Sequence, residues 1–111
     1  MIETALMALP LMRLICDVAS AHEVEVAAVI QDDEITTSEG TTRSRKVELR
    51  LHHRPTQTAV QGEGAVLDSD PDLMIGLASA LAHLASVAAR TADADLWRSL
   101  LRDVYNAMRL T

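Results

Sequence analysis

The stretch Arg45-Lys46-Val47-Glu48-Leu49-Arg50-Leu51-His52-His53 alternates polar and aliphatic residues at a period of two. That period belongs to a strand with one buried and one solvated face. Val47, Leu49 and Leu51 share one side, and Lys46, Glu48, Arg50 and His52 share the other. Arg54-Pro55-Thr56-Gln57 reads as a turn, with Pro55 presetting φ. Residues 58–67 return as a second strand, so the two make an antiparallel hairpin. Gly62 and Gly64 fall on one face of the returning strand and leave room for a packed backbone or a bend.

Upstream, residues 23–31 read as a third strand, because Glu23 and Glu25 alternate with Val24 and Val26. A helix competes there, since Ala27 and Ala28 tolerate either state. Residues 32–44 are polar and without period, and they read as a mobile loop. Residues 2–21 read as a helix whose polar stripe is Glu3, Pro10, Arg13, Asp17 and Ser20. Pro10 is expected to kink that helix or restart it.

Downstream, Asp68-Ser69-Asp70-Pro71-Asp72 is a helix start. Asp70 is expected to cap, Pro71 to take the first helical position and Asp72 to complement the macrodipole. The helix that follows runs to about Arg90. It is apolar on all but one stripe, Asp72, Gly76, Ser79, His83, Ser86 and Arg90, so it is expected to be covered on nearly every side. Residues 93–109 form the last helix, with Leu96, Trp97, Leu100, Leu101, Val104 and Met108 on its buried face. The expected fold is α+β, in the order α-β-β-β-α-α, a single domain with a three-stranded antiparallel sheet covered by helices.

The chain has 111 residues, a length suited to one hydrophobic core. There is no Phe, one Trp and one Tyr, so Leu, Val, Ile, Met and Ala must build the interior. A core so rich in small side chains, beside an almost wholly apolar helix, predicts a homodimer. The formal charge of −6 disfavours broad nucleic-acid binding. The charge is uneven, however, because Arg43, Arg45, Lys46, Arg50 and Arg54 crowd one segment. The single cysteine, Cys16, excludes an internal disulfide and reads as a buried thiol. Glu3, Arg13 and Asp17 interrupt the apolar N-terminal run as no secretory leader would, and a cytoplasmic, non-membrane protein is expected.

No motif announces chemistry. His52 and His53 are adjacent in a strand and point to opposite faces, and His22 and His83 have no ligand at helical spacing, so no metal site is expected. No nucleophile stands beside a recognisable base, no Gly-rich phosphate loop follows a strand, and no cofactor or catalytic residue is expected. The candidate partner-binding residues are therefore Arg43, Arg45, Lys46 and Arg50 in the basic stretch, with Asp32, Asp33 and Glu34 in the acidic one. The simpler reading of Lys46 and Arg50 is a solvated strand face, pairing across the sheet with Glu23, Glu25 or Glu63.

Thr42-Arg43 opening an alternating strand, Gly62-Glu63-Gly64-Ala65 in the returning one, the Asp70-Pro71 link and the helix Leu77-Ala78-Ser79-Ala80-Leu81-Ala82-His83-Leu84 carry a resemblance. Over Thr42 to Ala89 the chain resembles a family of small uncharacterised proteins with a double-stranded-RNA-binding-domain-like fold, related to ribosome-hibernation factors. The resemblance implies the fold and an RNA or ribosome association. RNA-binding members of the broader fold carry lysines at that helix start, where this chain has Asp68, Asp70 and Asp72. The leading expectation is a non-catalytic protein-binding or regulatory module. One form of it is an acidic inhibitor of a nucleic-acid-binding protein, as phage-encoded defence inhibitors are. The alternatives are an RNA- or ribosome-associated factor using the basic strand 43–54, and a small enzyme with a distributed site.

Overall fold

The structure, a computed structural model, describes residues 1–66 and 72–110. A one-turn helix, α1 (Thr4–Met7), precedes α2 (Pro10–Ala21). Three strands follow, β1 (Val24–Thr37), β2 (Gly40–His53) and β3 (Thr58–Val66), and then α3 (Leu73–Ala88) and α4 (Ala94–Arg109). The sheet is antiparallel in the order β1-β2-β3. The α+β order expected from the sequence is thus present, with the first helix broken into two. Leu9 is extended at φ −79° and ψ 131°, and Pro10 opens α2 from the position where its missing N–H costs nothing.

One face of the sheet carries the core. Val47, Leu49 and Leu51 are fully buried. Across the ladder they face Ile30, Ala28 and Val26 on β1, and Gly64, Gly62 and Val60 on β3. Directly opposed residues share a face, so these nine positions form one surface. Leu77, Ala80, Leu81 and Leu84 of α3 close over it, and Trp97, Leu100 and Val104 of α4 join Met12 and Ile15 of α2 in the same core. His22 Nε2 and Asp103 Oδ2, 2.7 Å apart, tie the end of α2 to α4.

The N-terminal segment protects the outer edge of β1. Ala28 N–H donates to the Met1 carbonyl at 3.0 Å, Glu3 N–H donates to the Ala28 carbonyl at 3.0 Å, and Ile30 N–H donates to Glu3 Oε2 at 2.8 Å. Across the sheet, the outward Glu63 N–H of β3 donates to His83 Nδ1 at 2.9 Å. Both edges therefore have backbone donors occupied, which limits unwanted pairing with other chains.

Two expectations are corrected. The polar stretch 32–44 is not a loop: Asp32 to Thr37 belong to β1 and Gly40 to Ser44 to β2, paired in one unbroken register from Val24↔His53 to Thr37↔Gly40. Only Ser38 and Glu39 turn the chain, with Gly40 at φ +129°. Nor is α3 covered on nearly every side. Its outer face is open, with Ile75 46% exposed and Ala78, Ala82 and Ala89 also exposed. Asp70 and Pro71, the expected cap and first helical residue, lie outside the described residues, as do Asp68 and the end of the 58–67 strand at Leu67. The cap the structure describes is Asp72, whose Oδ1 accepts from Met74 N–H at 2.9 Å.

Candidate functional site

The register places each sequence-derived candidate. Among the described residues β3 is last paired at Val66, opposite Arg45, and past that point β1 and β2 continue as a paired ribbon. Every residue from Gln31 to Arg45 is exposed. Six residues of strand from Asp32 to Thr37 span about 20 Å. This arm makes the molecule elongated, with extents of 48 × 31 × 22 Å and a radius of gyration of 14.9 Å. A compact chain of this length has about 13 Å.

Strand alternation divides the candidates that the sequence reading had grouped. Asp32, Glu34, Arg43 and Arg45 continue the core face, whereas Asp33, Lys46 and Arg50 lie on the opposite, uncovered face. Arg43 and Arg45 therefore face one way from the strand, and Lys46 and Arg50 the other. The cations also have acidic neighbours. Arg45 Nε donates to Asp32 Oδ1 at 2.7 Å, and Arg43 stands opposite Glu34 in the ladder. Lys46 Nζ lies 3.4 Å from Glu63 Oε2 and 3.9 Å from Glu48 Oε1, and Arg54 Nε lies 3.3 Å from Glu25 Oε1. Gln31 and Gln61 both donate to Glu48, at 2.6 and 3.4 Å. The pairing of Lys46 with Glu63 follows the simpler reading of this face. Arg50 is exposed between Ala27 and Gln61 on the uncovered face.

At the tip, Thr37 Oγ1 accepts from Glu39 N–H at 3.3 Å and donates to the Gly40 carbonyl at 3.3 Å. Ile35 is 56% exposed on the arm, a large aliphatic side chain among acids and threonines.

Sequence reasoning missed a second surface. Between α3 and α4 an open groove of about 220 Å³ is walled by Ala85, Ala89, Leu101 and Tyr105, with exposed Arg98 and Arg102 beside them. It is smaller than the cavities that enclose most small-molecule ligands, which hold about 300–1,000 Å³. Its size suits a side chain. The signal was available in the spacing of Ile75, Ala78, Ala82, Ala85 and Ala89, which alternates three and four residues as one helix face does.

Among the described residues no three His, Cys, Asp or Glu side chains converge as metal ligands would. Burial, and then the neighbouring Asp17 carboxylate, push the Cys16 thiol's pKa up, which favours the protonated form. Among the described residues no helix is long and apolar enough to cross a membrane. No protein-family model, curated protein or solved structure matches the chain.

Proposed function

We propose that the chain is a non-catalytic protein-binding module whose recognition element is the β1–β2 arm. The observation that carries this reading is the exposure of the whole ribbon from Gln31 to Arg45 on both faces. Ordering those residues costs conformational entropy that no core contact offsets, and two strands alone are marginally stable in water. Such a segment makes sense as a surface kept ready for another molecule. Ile35 supplies an apolar anchor on the face that also carries Asp33, and Glu34 and Arg43 supply polar groups on the other face of the ribbon. The net charge of −6 favours a partner with a basic surface, so a regulatory role in which this chain competes with nucleic acid for such a protein is the form we favour. Nucleic acid itself is the weaker partner, because Arg45, Lys46 and Arg54 already have carboxylates beside them.

The test shortens the arm. Gln31 and Lys46 stand directly opposite each other, so a two-residue Asn-Gly turn can join them in place of residues 32–45. Capture from native lysate is then compared for the full chain and the shortened chain, with and without nuclease. We expect unchanged helical content, capture that withstands nuclease, and loss of capture on shortening. Capture that survives shortening rejects the arm. Capture abolished by nuclease rejects a protein partner and favours the RNA-associated alternative.

A further inference from the structure

The outer face of α3 belongs to an uncharged stretch of an acidic molecule. From Leu73 to Ala89 the helix carries no Asp, Glu, Lys or Arg. Ile75, Ala78, Ala82, Ala85 and Ala89 fall on one seam, the two-turn periodicity by which helices pack against helices. Ile75, Ala78, Ala82 and Ala89 are exposed, and Ala85 is half-buried at the groove.

The features along this seam are arranged to complement themselves in reverse. One end carries a protrusion, Ile75, and the other carries the open groove beside Ala85 and Ala89. Position 82 lies midway between 75 and 89. An antiparallel pairing of two such helices about Ala82 therefore sets each Ile75 against the other copy's Ala89 and groove. The middle of the seam holds only Ala78, Ala82 and Ala85, which permits an interaxial distance near 8 Å, the close end of helix packing. The charged groups that flank the seam match in the same sense. Asp72 begins the helix and Arg90 follows its end, five turns apart on one flank, so the antiparallel pair brings each acid near the other copy's base. The macrodipoles oppose each other favourably in that arrangement. A parallel pairing would set Ile75 against Ile75, Asp72 against Asp72 and the two grooves against each other.

We propose that the chain forms a two-fold dimer through α3, antiparallel about Ala82, with Ile75 of each copy seated in the α3–α4 groove of the other. The occupant of this face is a second copy because size, charge and absence of charge all complement under that one operation. The surface is remote from the arm in sequence and is separate from the partner reading above, so either can fail alone.

Two measurements test it. Sedimentation velocity at tens of micromolar is expected to give twice the 12.0 kDa chain mass. Ala82→Glu, which sets two carboxylates together at the axis, is expected to return the 12.0 kDa species with an unchanged circular dichroism spectrum. The register is read by oxidation in a Cys16→Ser background. Ala82→Cys is expected to form a covalent dimer, because the two thiols meet at the axis. Ala78→Cys lies four residues away, which puts its two copies about 12 Å apart along the helices, beyond the roughly 7 Å limit for a disulfide. It is expected to stay uncrosslinked. A monomer at that concentration, a dimer that withstands Ala82→Glu, crosslinking at neither position, or equal crosslinking at both overturns the proposal. Dimerisation of the arm-shortened chain is expected to match that of the full chain.

Discussion

The carbonyl oxygen of Gly76 in α3 occupies the space that a Cβ on residue 64 of β3 would need. Two residues back along the same strand, a Cβ on residue 62 would meet the Ala80 carbonyl oxygen and come within 2.5 Å of the Leu84 backbone nitrogen. The helix thus rests on the strand backbone itself, and the obstacles are main-chain atoms that cannot rotate away. Gly64→Ala and Gly62→Ala must lift α3 from the sheet. Each is expected to destabilise the fold by about 1–3 kcal/mol or more, the range for overpacked cores. A urea midpoint equal to that of the parent chain would show that α3 does not sit there.

Those two glycines were legible in the sequence, because a strand that otherwise alternates has no reason to leave its inward positions empty unless a backbone approaches. The central strand was legible for the same kind of reason: Val47, Leu49 and Leu51 contrast with their neighbours. The arm was not. Period-two contrast records burial of one face, not the strand itself. From Asp32 to Thr37 and from Gly40 to Ser44 both faces meet water, so both are polar and the contrast vanishes. The division of Arg45 from Lys46 and Arg50 follows from alternation alone, since neighbours in a strand point apart. The open face of α3 was obscured by the opposite problem. The stripe of Ser79, His83 and Ser86 marks the outer side, but Ile75, Ala78 and Ala82 beside it are exposed too and as apolar as the residues that reach the core, so composition did not show how wide the open face is.

Asp72 caps α3 through a hydrogen bond from Met74 N–H at 2.9 Å. Asp72→Ala leaves that donor without its side-chain partner. The expected loss is about 0.5–2 kcal/mol, and Asp72→Ser is expected to recover most of it. Chemical denaturation of the three proteins measures this. Equal midpoints would move the cap elsewhere.

Cys16, expected from the sequence to be buried, is only half-buried, and its chemistry should report that partial burial. Burial first and Asp17 second raise its pKa, because both oppose a negative charge on sulfur. Thiolate is the reactive form, so modification by a disulfide reagent at neutral pH is expected to be slower than for an unfolded control, with the rate rising into the alkaline range. Asp17→Asn removes the like charge and is expected to lower the apparent pKa. The linkage has a definite sign. The unfolded thiol ionises first as pH rises, so the stability held below the unfolded thiol's pKa declines as pH passes through the folded one. A thiol that reacts at neutral pH as fast as in the unfolded chain would contradict the burial.

Hydrogen exchange should separate the arm from the sheet that bears it. The two regions share a register and a pair of strands, so secondary structure alone predicts equal protection. Packing predicts otherwise. Val47, Leu49 and Leu51 are fully buried, their strand has a neighbour on either side, and their amides open only with the core. Among the described residues the arm has one neighbour per strand, its residues are exposed, and its outward amides, such as those of Asp32 and Glu34, lie past the Ile30 N–H that Glu3 holds. The Asp32–Arg45 pair is exposed on both sides, and pairs of that kind contribute only about 0–1 kcal/mol. Opening of the ribbon from its Ser38–Glu39 tip therefore costs much less than global unfolding. Amides of residues 32–44 are expected to exchange orders of magnitude faster than those of Val47 to Leu51. A bound partner that pairs with or covers the arm is expected to slow them while leaving the core amides as they were. Equal protection of arm and core in the free chain would mean that something already covers the ribbon, and a second copy docking there instead of along α3 would be the first arrangement to examine.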